Sequence, residues 1–352
     1  MKRIGHNDNE WRRQMNIFMI GGTGLLGSEG AKELINRGHH VSSLSLPPIP
    51  EGAQLPGQME IKLGSYMDMS DDELRECFSG CEGFVFAAGV DERVEGPPPI
   101  YELFKKFNIT PLERMLRIAK ECGVKRTVIC GSYFSHFAKI WSDKQLTKWH
   151  PYIRSRIDQE EMALSFADKD FSVAILELPY IFGAQPGREP VWLFLVEMIR
   201  GMEKKTMYPK GGTTMTTVKQ IGQTIAGALE RTEGGVAYPI GYYNLTWVEF
   251  LKIVHKYMGC PDKKISTIPT FLYKLGSKQM MKKHEATGNE SGLHIVKFAD
   301  VMCNNAFIDK SLGCDPLGVE PDDIDAAIGE SIKLCIDILD GKVVNAVKMK
   351  GE

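Results

Sequence analysis

Met15-Asn16-Ile17-Phe18-Met19-Ile20-Gly21-Gly22-Thr23-Gly24-Leu25-Leu26-Gly27 decides how the rest of the chain is read. Asn16–Ile20 is a short apolar run that ends on glycine, which suits a strand buried on both faces of a parallel sheet. Residues 25–37 then read as a helix, with Leu26, Ala31, Leu34 and Ile35 apolar and Gly38 as its stop. Between them, Gly22-Thr23-Gly24-Leu25-Leu26-Gly27 fits G-x-G-x-x-G. A bare match to that pattern says little, but a strand before it and a helix after it give it a physical meaning. The first glycine permits a tight turn, the second lets backbone approach a pyrophosphate, and the third lets helix and strand pack closely. Free N–H groups at the helix start add partial positive charge for the phosphates. A nicotinamide dinucleotide is the predicted ligand, held by Gly21, Gly22, Thr23, Gly24, Leu25, Leu26 and Gly27.

Outward from this stretch, strands and helices alternate. Strands are predicted at 40–46, 59–63, 83–88, 126–130 and 171–178. Helices are predicted at 71–78, at 100–122 with a bend at Pro111, and at 152–167. Such spacing predicts an α/β fold: a Rossmann-like, doubly wound parallel sheet with its ligand at the carboxyl ends of the strands. After Gly183 the pattern loosens. Helices remain predictable at 190–202, 221–231 and 246–258, the last opened by Thr246 with Glu249 three residues on. The lysine- and methionine-rich stretch 262–300 resists assignment. The expected organisation is an N-terminal extension at 1–14 and a dinucleotide-binding domain at 15–183, to which 216–242 contributes elements. A smaller C-terminal substrate-binding lobe would comprise 184–215 and 243–340.

Composition narrows the partners. The chain has 352 residues and a formal net charge of −2, so no basic excess points to nucleic acid or an anionic membrane surface. No apolar run approaches the roughly 20 residues of a membrane span. The eight cysteines form no CxxC pair, and Cys77 and Cys81 have no neighbouring histidine for a zinc site. Buried reduced thiols, no metal and a cytoplasmic location are expected.

The dinucleotide fingerprint calls for an acidic residue about 20 positions after the glycines, to bind the ribose 2′-hydroxyl. The second strand instead ends Ser42-Ser43-Leu44-Ser45-Leu46. Without the acid nothing repels a 2′-phosphate, and Ser45 offers it a hydroxyl. This tilts the cofactor towards NADP, with NAD as the alternative.

Further along come Phe86-Ala87-Ala88-Gly89, Asn108 on the long helix, Gly-Val-Lys-Arg at 123–126 and Gly131-Ser132 after the fifth strand. Tyr152 stands four residues before Arg156, and Leu178-Pro179-Tyr180-Ile181-Phe182-Gly183 follows the sixth strand. With the glycine spacing, their order resembles the extended short-chain dehydrogenase/reductases, the group that includes the NAD-dependent epimerase/dehydratase family. The resemblance covers about residues 15–258. It implies that Tyr152 is the general acid/base and Ser132 the partner of the substrate carbonyl. Asn108 would support a proton-relay water. It also implies cofactor contacts from Ser45, Ser65, Tyr66, Ala87, Ala88, Gly89, Tyr152, Arg156, Pro179 and Ile181. Pairing through the two long helices would make a homodimer.

Chemistry supports the tyrosine. A developing alkoxide needs an aimed proton donor. A phenol titrating near 10 becomes a usable base only when a cation one helical turn away favours the phenolate. In the family that cation is a lysine, and here it is Arg156. Arginine keeps the charge but releases no proton, and its planar fork suits a ribose diol differently. Either the relay is modified or redox catalysis is lost.

Substrate class follows from a second departure. Members that bind nucleotide sugars carry an arginine just before the segment that here reads Val218-Lys-Gln-Ile221. The matching stretch, 211–218, has no cation, and Arg188 and Lys210 are the nearest substitutes. Phe134, Phe137, Trp141, Trp149, Trp192, Phe194, Met198 and Met202 are expected around the pocket, or else in plain core or a subunit interface. An apolar pocket suits an apolar carbonyl compound or secondary alcohol. The expected activity is an NAD(P)-dependent oxidoreductase. A nucleotide-sugar epimerase or dehydratase and a non-catalytic dinucleotide-binding regulatory or scaffold protein are the alternatives.

Overall fold

The computed structural model describes residues 14–348. All of the predicted N-terminal extension except Gln14 therefore lies outside the described residues. Seven strands form one parallel sheet: β1 (Asn16–Ile20), β2 (His40–Ser45), β3 (Glu60–Leu63), β4 (Gly83–Phe86), β5 (Arg126–Cys130), β6 (Ser172–Glu177) and β7 (Gly235–Pro239). Their order across the sheet is β7-β6-β5-β4-β1-β2-β3. The chain thus winds outward in one direction and then in the other, and the reversal falls between β1 and β4, the ligand crevice of a doubly wound sheet.

Alternating side chains of β1 feed two cores, as the two-residue strand period requires. Ile17 and Met19 join Leu34 of α1 (Leu25–Asn36) and Ile221 and Ile225 of the helix Val218–Arg231. Phe18 and Ile20 face the other layer. There they meet Leu74 and Phe78 of α2 (Asp71–Phe78) and Leu112 and Met115 of α3 (residues 101–121). The registers Ile20↔Leu44, Ile20↔Phe86, Phe86↔Ile129 and Cys130↔Leu176 bring the strand ends to a single edge.

Where a bend was predicted at Pro111, the helix is irregular. α3 passes through a π turn at Lys105–Ile109, and Pro111 lies in the first turn of the α segment Thr110–Glu121. Beyond β6 a second group of elements forms. Tyr180–Phe182 pairs with Gly212–Thr217, which pairs antiparallel with Tyr243–Thr246. Phe182, Trp192, Phe250 and Ile328 pack together beneath them. The capping box of Thr246 and Glu249 is present. Within the unassigned stretch, Thr270–Glu285 forms a helix with Phe271, Leu275 and Met280 exposed. Among the described residues no helix is long and apolar enough to cross a membrane.

Candidate active site

The glycine loop connects β1 to α1 at the crevice. Gly21, at φ +86°, makes the tight turn, one residue earlier than predicted. A Cβ there would stand 2.5 Å from the Ala87 carbonyl oxygen at the end of β4. Gly27 packs its backbone onto Gly21, as predicted for the third glycine, and a Cβ would collide with the Gly21 carbonyl. Gly24 caps α1 without a side-chain bond, and no acidic residue occupies the first turn. An anion therefore meets backbone N–H groups there with no carboxylate competing for them, and a pyrophosphate fits this cradle.

Two serines of β2 hold the loop from the side. The Gly22 N–H donates to Ser43 Oγ at 3.0 Å, the Thr23 N–H donates to Ser45 Oγ at 3.2 Å, and the two hydroxyls lie 2.9 Å apart. Ser45 was expected to offer its hydroxyl to the cofactor ribose. It is 3% exposed and binds the loop itself. Ser65 turns its hydroxyl to the Met67 N–H, and the Tyr66 ring packs edge-on to Phe86, where burial pushes its phenol up to about 12. Both residues were expected as cofactor contacts, and they follow the end of β3. Pro179 is buried, and the Ile181 carbonyl accepts from the Trp192 indole at 3.2 Å.

Ala87, Ala88 and Gly89 run from the end of β4 along this edge to the second part of the site. There α5 (Pro151–Leu164) carries Tyr152, Arg156 and Gln159 on one buried face, the i, i+4, i+7 spacing of a helix. Arg156 Nε donates to the Tyr152 hydroxyl at 3.0 Å. Its Nη1 donates to Gln159 Oε1 at 2.8 Å and its Nη2 to the Val90 carbonyl at 3.2 Å. Each nitrogen of the fork thus has a partner. Gln159 Nε2 in turn donates to the Asn108 carbonyl at 2.6 Å. The π turn of α3 presents that carbonyl, and the Asn108 amide bridges to Val90, accepting its N–H at 2.8 Å and donating to its carbonyl at 3.0 Å. Asn108, expected to support a relay water, thus has its carbonyl bonded to Gln159 and its amide to Val90.

Electrostatics sharpen the role of Tyr152. The ring is 3% exposed, edge-on to Phe104 and Phe134. Burial raises its pKa, Arg156 lowers it, and burial wins, so the phenol stays above its ordinary value. Arg156 acts in the expected direction, favouring the phenolate, but burial outweighs it. At neutral pH Tyr152 is protonated. Because Arg156 occupies a lone pair of the phenol oxygen, the hydroxyl proton points elsewhere.

On the substrate side, Ser132 caps α4 (Tyr133–Ile140), accepting the Phe134 N–H at 3.4 Å. Tyr133 Oη lies 3.1 Å from Thr213 Oγ1, on the strand where an arginine was sought. Tyr180 stacks at a tilt on Tyr133 and Trp192. Of the predicted pocket residues, Phe134 and Phe137 are in this cluster, Trp192 stacks on Phe182, and Phe194 is exposed. Glu92 was missed by the sequence reading. It follows Gly89 by three residues, and its charge acts on Arg156, Tyr133, Tyr152 and Tyr180. Burial, with Asp91 beside it, pushes its carboxyl up to about 7. Gln159 was also missed, although it lies one turn beyond Arg156 on the same face.

A parallel sheet with this winding order, a glycine turn at its crevice and a tyrosine–cation pair on α5 define a dinucleotide-binding protein of the extended short-chain dehydrogenase/reductase type. Residues 17–219, more than half of the chain, match the NAD dependent epimerase/dehydratase family, and the chain belongs to that family. No curated protein matches it. Among solved structures, the protein gox2253 aligns with a TM-score of 0.69 at 19% identity, covering 94% of this chain and 100% of that one. A UDP-glucose 4-epimerase from Bifidobacterium longum, in complex with NAD+ and UDP, aligns at 0.63 and 14% identity over 94% and 100%. PA4631, a nucleoside-diphosphate-sugar epimerase from Pseudomonas aeruginosa, aligns at 0.62 and 14% over 93% and 99%.

Proposed function

We propose that the protein is an NAD(P)-dependent oxidoreductase that interconverts an uncharged carbonyl compound and its secondary alcohol, with Tyr152 as the proton donor. The carrying observation is the 3.0 Å bond from Arg156 Nε to the Tyr152 hydroxyl inside a wall of aromatic rings. When bound, the nicotinamide supplies the hydride in the reducing direction. Tyr152 gives its proton to the carbonyl oxygen as negative charge grows there. The Ser132 hydroxyl donates a hydrogen bond to the same oxygen. Arg156 stabilises the phenolate left behind, and Gln159 and the Val90 carbonyl keep its fork in plane.

The preference for an uncharged substrate rests on the cations. The strand Gly212–Thr217 is buried along its whole length and carries threonines where a diphosphate would need an arginine. Arg93 pairs with Asp91 at 2.6 Å, and Arg156 is saturated within its network. A nucleotide-sugar epimerase is the second reading, favoured by the substrates named for the structural neighbours. Screening hydrophobic ketones for NAD(P)H consumption tests the first reading, with Tyr152→Phe as control. Unchanged turnover in that variant would sink it, and saturable UDP-glucose binding would revive the second. The eight free cysteines suit a reducing cytoplasm. The resemblance supports a homodimer through α3 and α5, which sedimentation velocity tests.

A further inference from the structure

Residues 183–190, just after the strand Tyr180–Phe182, double back as a strap across the glycine loop. Gln185, itself buried, donates from Nε2 to the Thr23 carbonyl at 3.1 Å and to the Ser28 hydroxyl at 3.3 Å. Arg188 donates from Nε to Gln185 Oε1 at 2.6 Å, and its Nη2 reaches the Thr23 carbonyl at 3.5 Å. The strap is pinned on both sides. Gly187 lies against the backbone of Glu51, in the loop that follows β2. Its carbonyl accepts the Val347 N–H at 2.7 Å, and the Glu189 N–H donates to the Val347 carbonyl at 3.0 Å. Arg188 was a candidate for the substrate diphosphate. The structure places it on the cofactor loop instead.

Arg188 is partly buried, and among the described residues no carboxylate forms an ion pair with it. Burial alone acts on its charge, pulling its pKa down. A cation taken from water without a counterion is costly, and buried charges are ordinarily paired. Among the described residues no group supplies that counterion, and an anionic ligand would.

Its position says which anion. The Thr23 N–H is bonded to Ser45 at the end of β2, the strand end at which a dinucleotide's ribose 2′ position is read. The pyrophosphate belongs one step away, at the start of α1. Arg188 shares Thr23 with that β2 corner, where Ser45 stands in place of the acid that excludes a 2′-phosphate. We propose that Arg188 is the cation for the cofactor's 2′-phosphate, carried by the strap rather than by β2, and that the cofactor is NADP. The inference rests on the dinucleotide reading of the loop and is independent of the redox chemistry at Tyr152.

The test is binding without substrate. NADPH and NADH are titrated by nicotinamide fluorescence into the full chain, its Arg188→Ala and Arg188→Lys variants, and Ser45→Asp. The wild type should prefer NADPH, and Arg188→Ala should weaken NADPH by about 10- to 100-fold, the worth of a charge-assisted bond. NADH should stay within about twofold, and Arg188→Lys should restore part of the NADPH affinity. Ser45→Asp should weaken NADPH selectively, through repulsion. A thermal melt shows whether each variant is folded. Equal losses for both cofactors would put Arg188 on the pyrophosphate or on the strap alone, and overturn the proposal. Unchanged NADPH affinity in Arg188→Ala overturns it too. If the wild type binds neither cofactor, the dinucleotide reading itself falls.

Discussion

At the glycine loop the chain is fixed by backbone that comes too close for side chains. At Tyr152 it is fixed by side chains that reach one another. Gly21 and Gly27 meet backbone where a methyl group would not fit. Tyr152, Arg156, Gln159 and Asn108 form a line of directed hydrogen bonds. The first arrangement is nearly all-or-none, because close-packed backbone has little room to yield. The second can be altered one bond at a time. The cofactor cradle should therefore respond to small substitutions with loss of binding. The tyrosine site should respond with graded changes in rate, pH dependence and stability.

The sharpest test of the first half is Gly27→Ala. The added methyl would push α1 away from β1 and displace the N–H groups that would hold a pyrophosphate. Overpacking of this kind costs about 1–3 kcal/mol of stability. A displacement of about 1 Å at a positioned group costs about 100-fold in function. Cofactor titration should show a loss of at least that order, and a loss below fivefold would contradict the close-packing account.

Tyr152→Phe tests the second half. It removes a proton donor and almost no volume. Turnover should fall by about 100- to 10,000-fold, the worth of general acid catalysis. Cofactor affinity should stay within about twofold, which fluorescence titration checks. A parallel collapse of cofactor binding would erase the contrast between the two regions.

The same contrast explains what was legible in the sequence. β1 and β4 are continuous apolar runs because both faces of a central parallel strand are covered, and the glycine pattern lies directly against one of them. β7 was missed because it is a half-exposed edge strand, with neither a continuous run nor a clean alternation. Gly212–Thr217 is wholly buried yet mostly threonine, so hydropathy passes over it. Tyr152 and Arg156 were legible through their spacing and the family resemblance. The closure of their network by Gln159 was not, since it depends on the π turn that brings the Asn108 carbonyl within reach. Ser45 was placed on the correct strand end, but its bond to the Thr23 N–H was not legible, because it depends on how closely the loop folds back onto β2. The strap was out of reach altogether. Gln185 and Thr23 are 162 residues apart, and no local pattern links them.

Gln159→Leu cuts the network without touching the tyrosine. Arg156 Nη1 and the Asn108 carbonyl would each lose a partner. An unsatisfied buried polar group costs about 1–3 kcal/mol. The melting temperature should fall by several degrees. The acid limb of the pH–rate profile should keep its shape, while the alkaline limb, which reports Tyr152, should move. A simple structural role would lower stability and leave that limb in place. Gln159→Glu, which keeps the acceptor for Arg156, should restore much of the stability.

The smallest effect is expected behind α5, where the tyrosine helix is anchored. Glu160 lies one turn beyond Arg156, and Lys139 Nζ stands 2.6 Å from its carboxylate. The same ammonium is 3.0 Å from Glu177 Oε1 at the end of β6, yet neither Glu177 oxygen has a well-aligned hydrogen bond. One cation thus serves two carboxylates. Burial first, and then the charge of Glu160, push Glu177 up to about 7. In the unfolded chain Glu177 titrates in the usual carboxylate range, near 4.3 in model peptides. Between that range and about 7 the folded protein therefore holds a proton that the unfolded chain has released, and stability falls as pH rises through this window. It is fully present below the window and levels off above it. Glu177→Gln keeps the shape and removes the titration. It should flatten the slope of melting temperature between pH 5 and pH 8 by a few degrees, with the gain over wild type at the alkaline end. An unchanged slope would mean that Lys139 neutralises Glu177 fully. In that case α5 is held by an ordinary ion pair rather than by a carboxyl kept protonated.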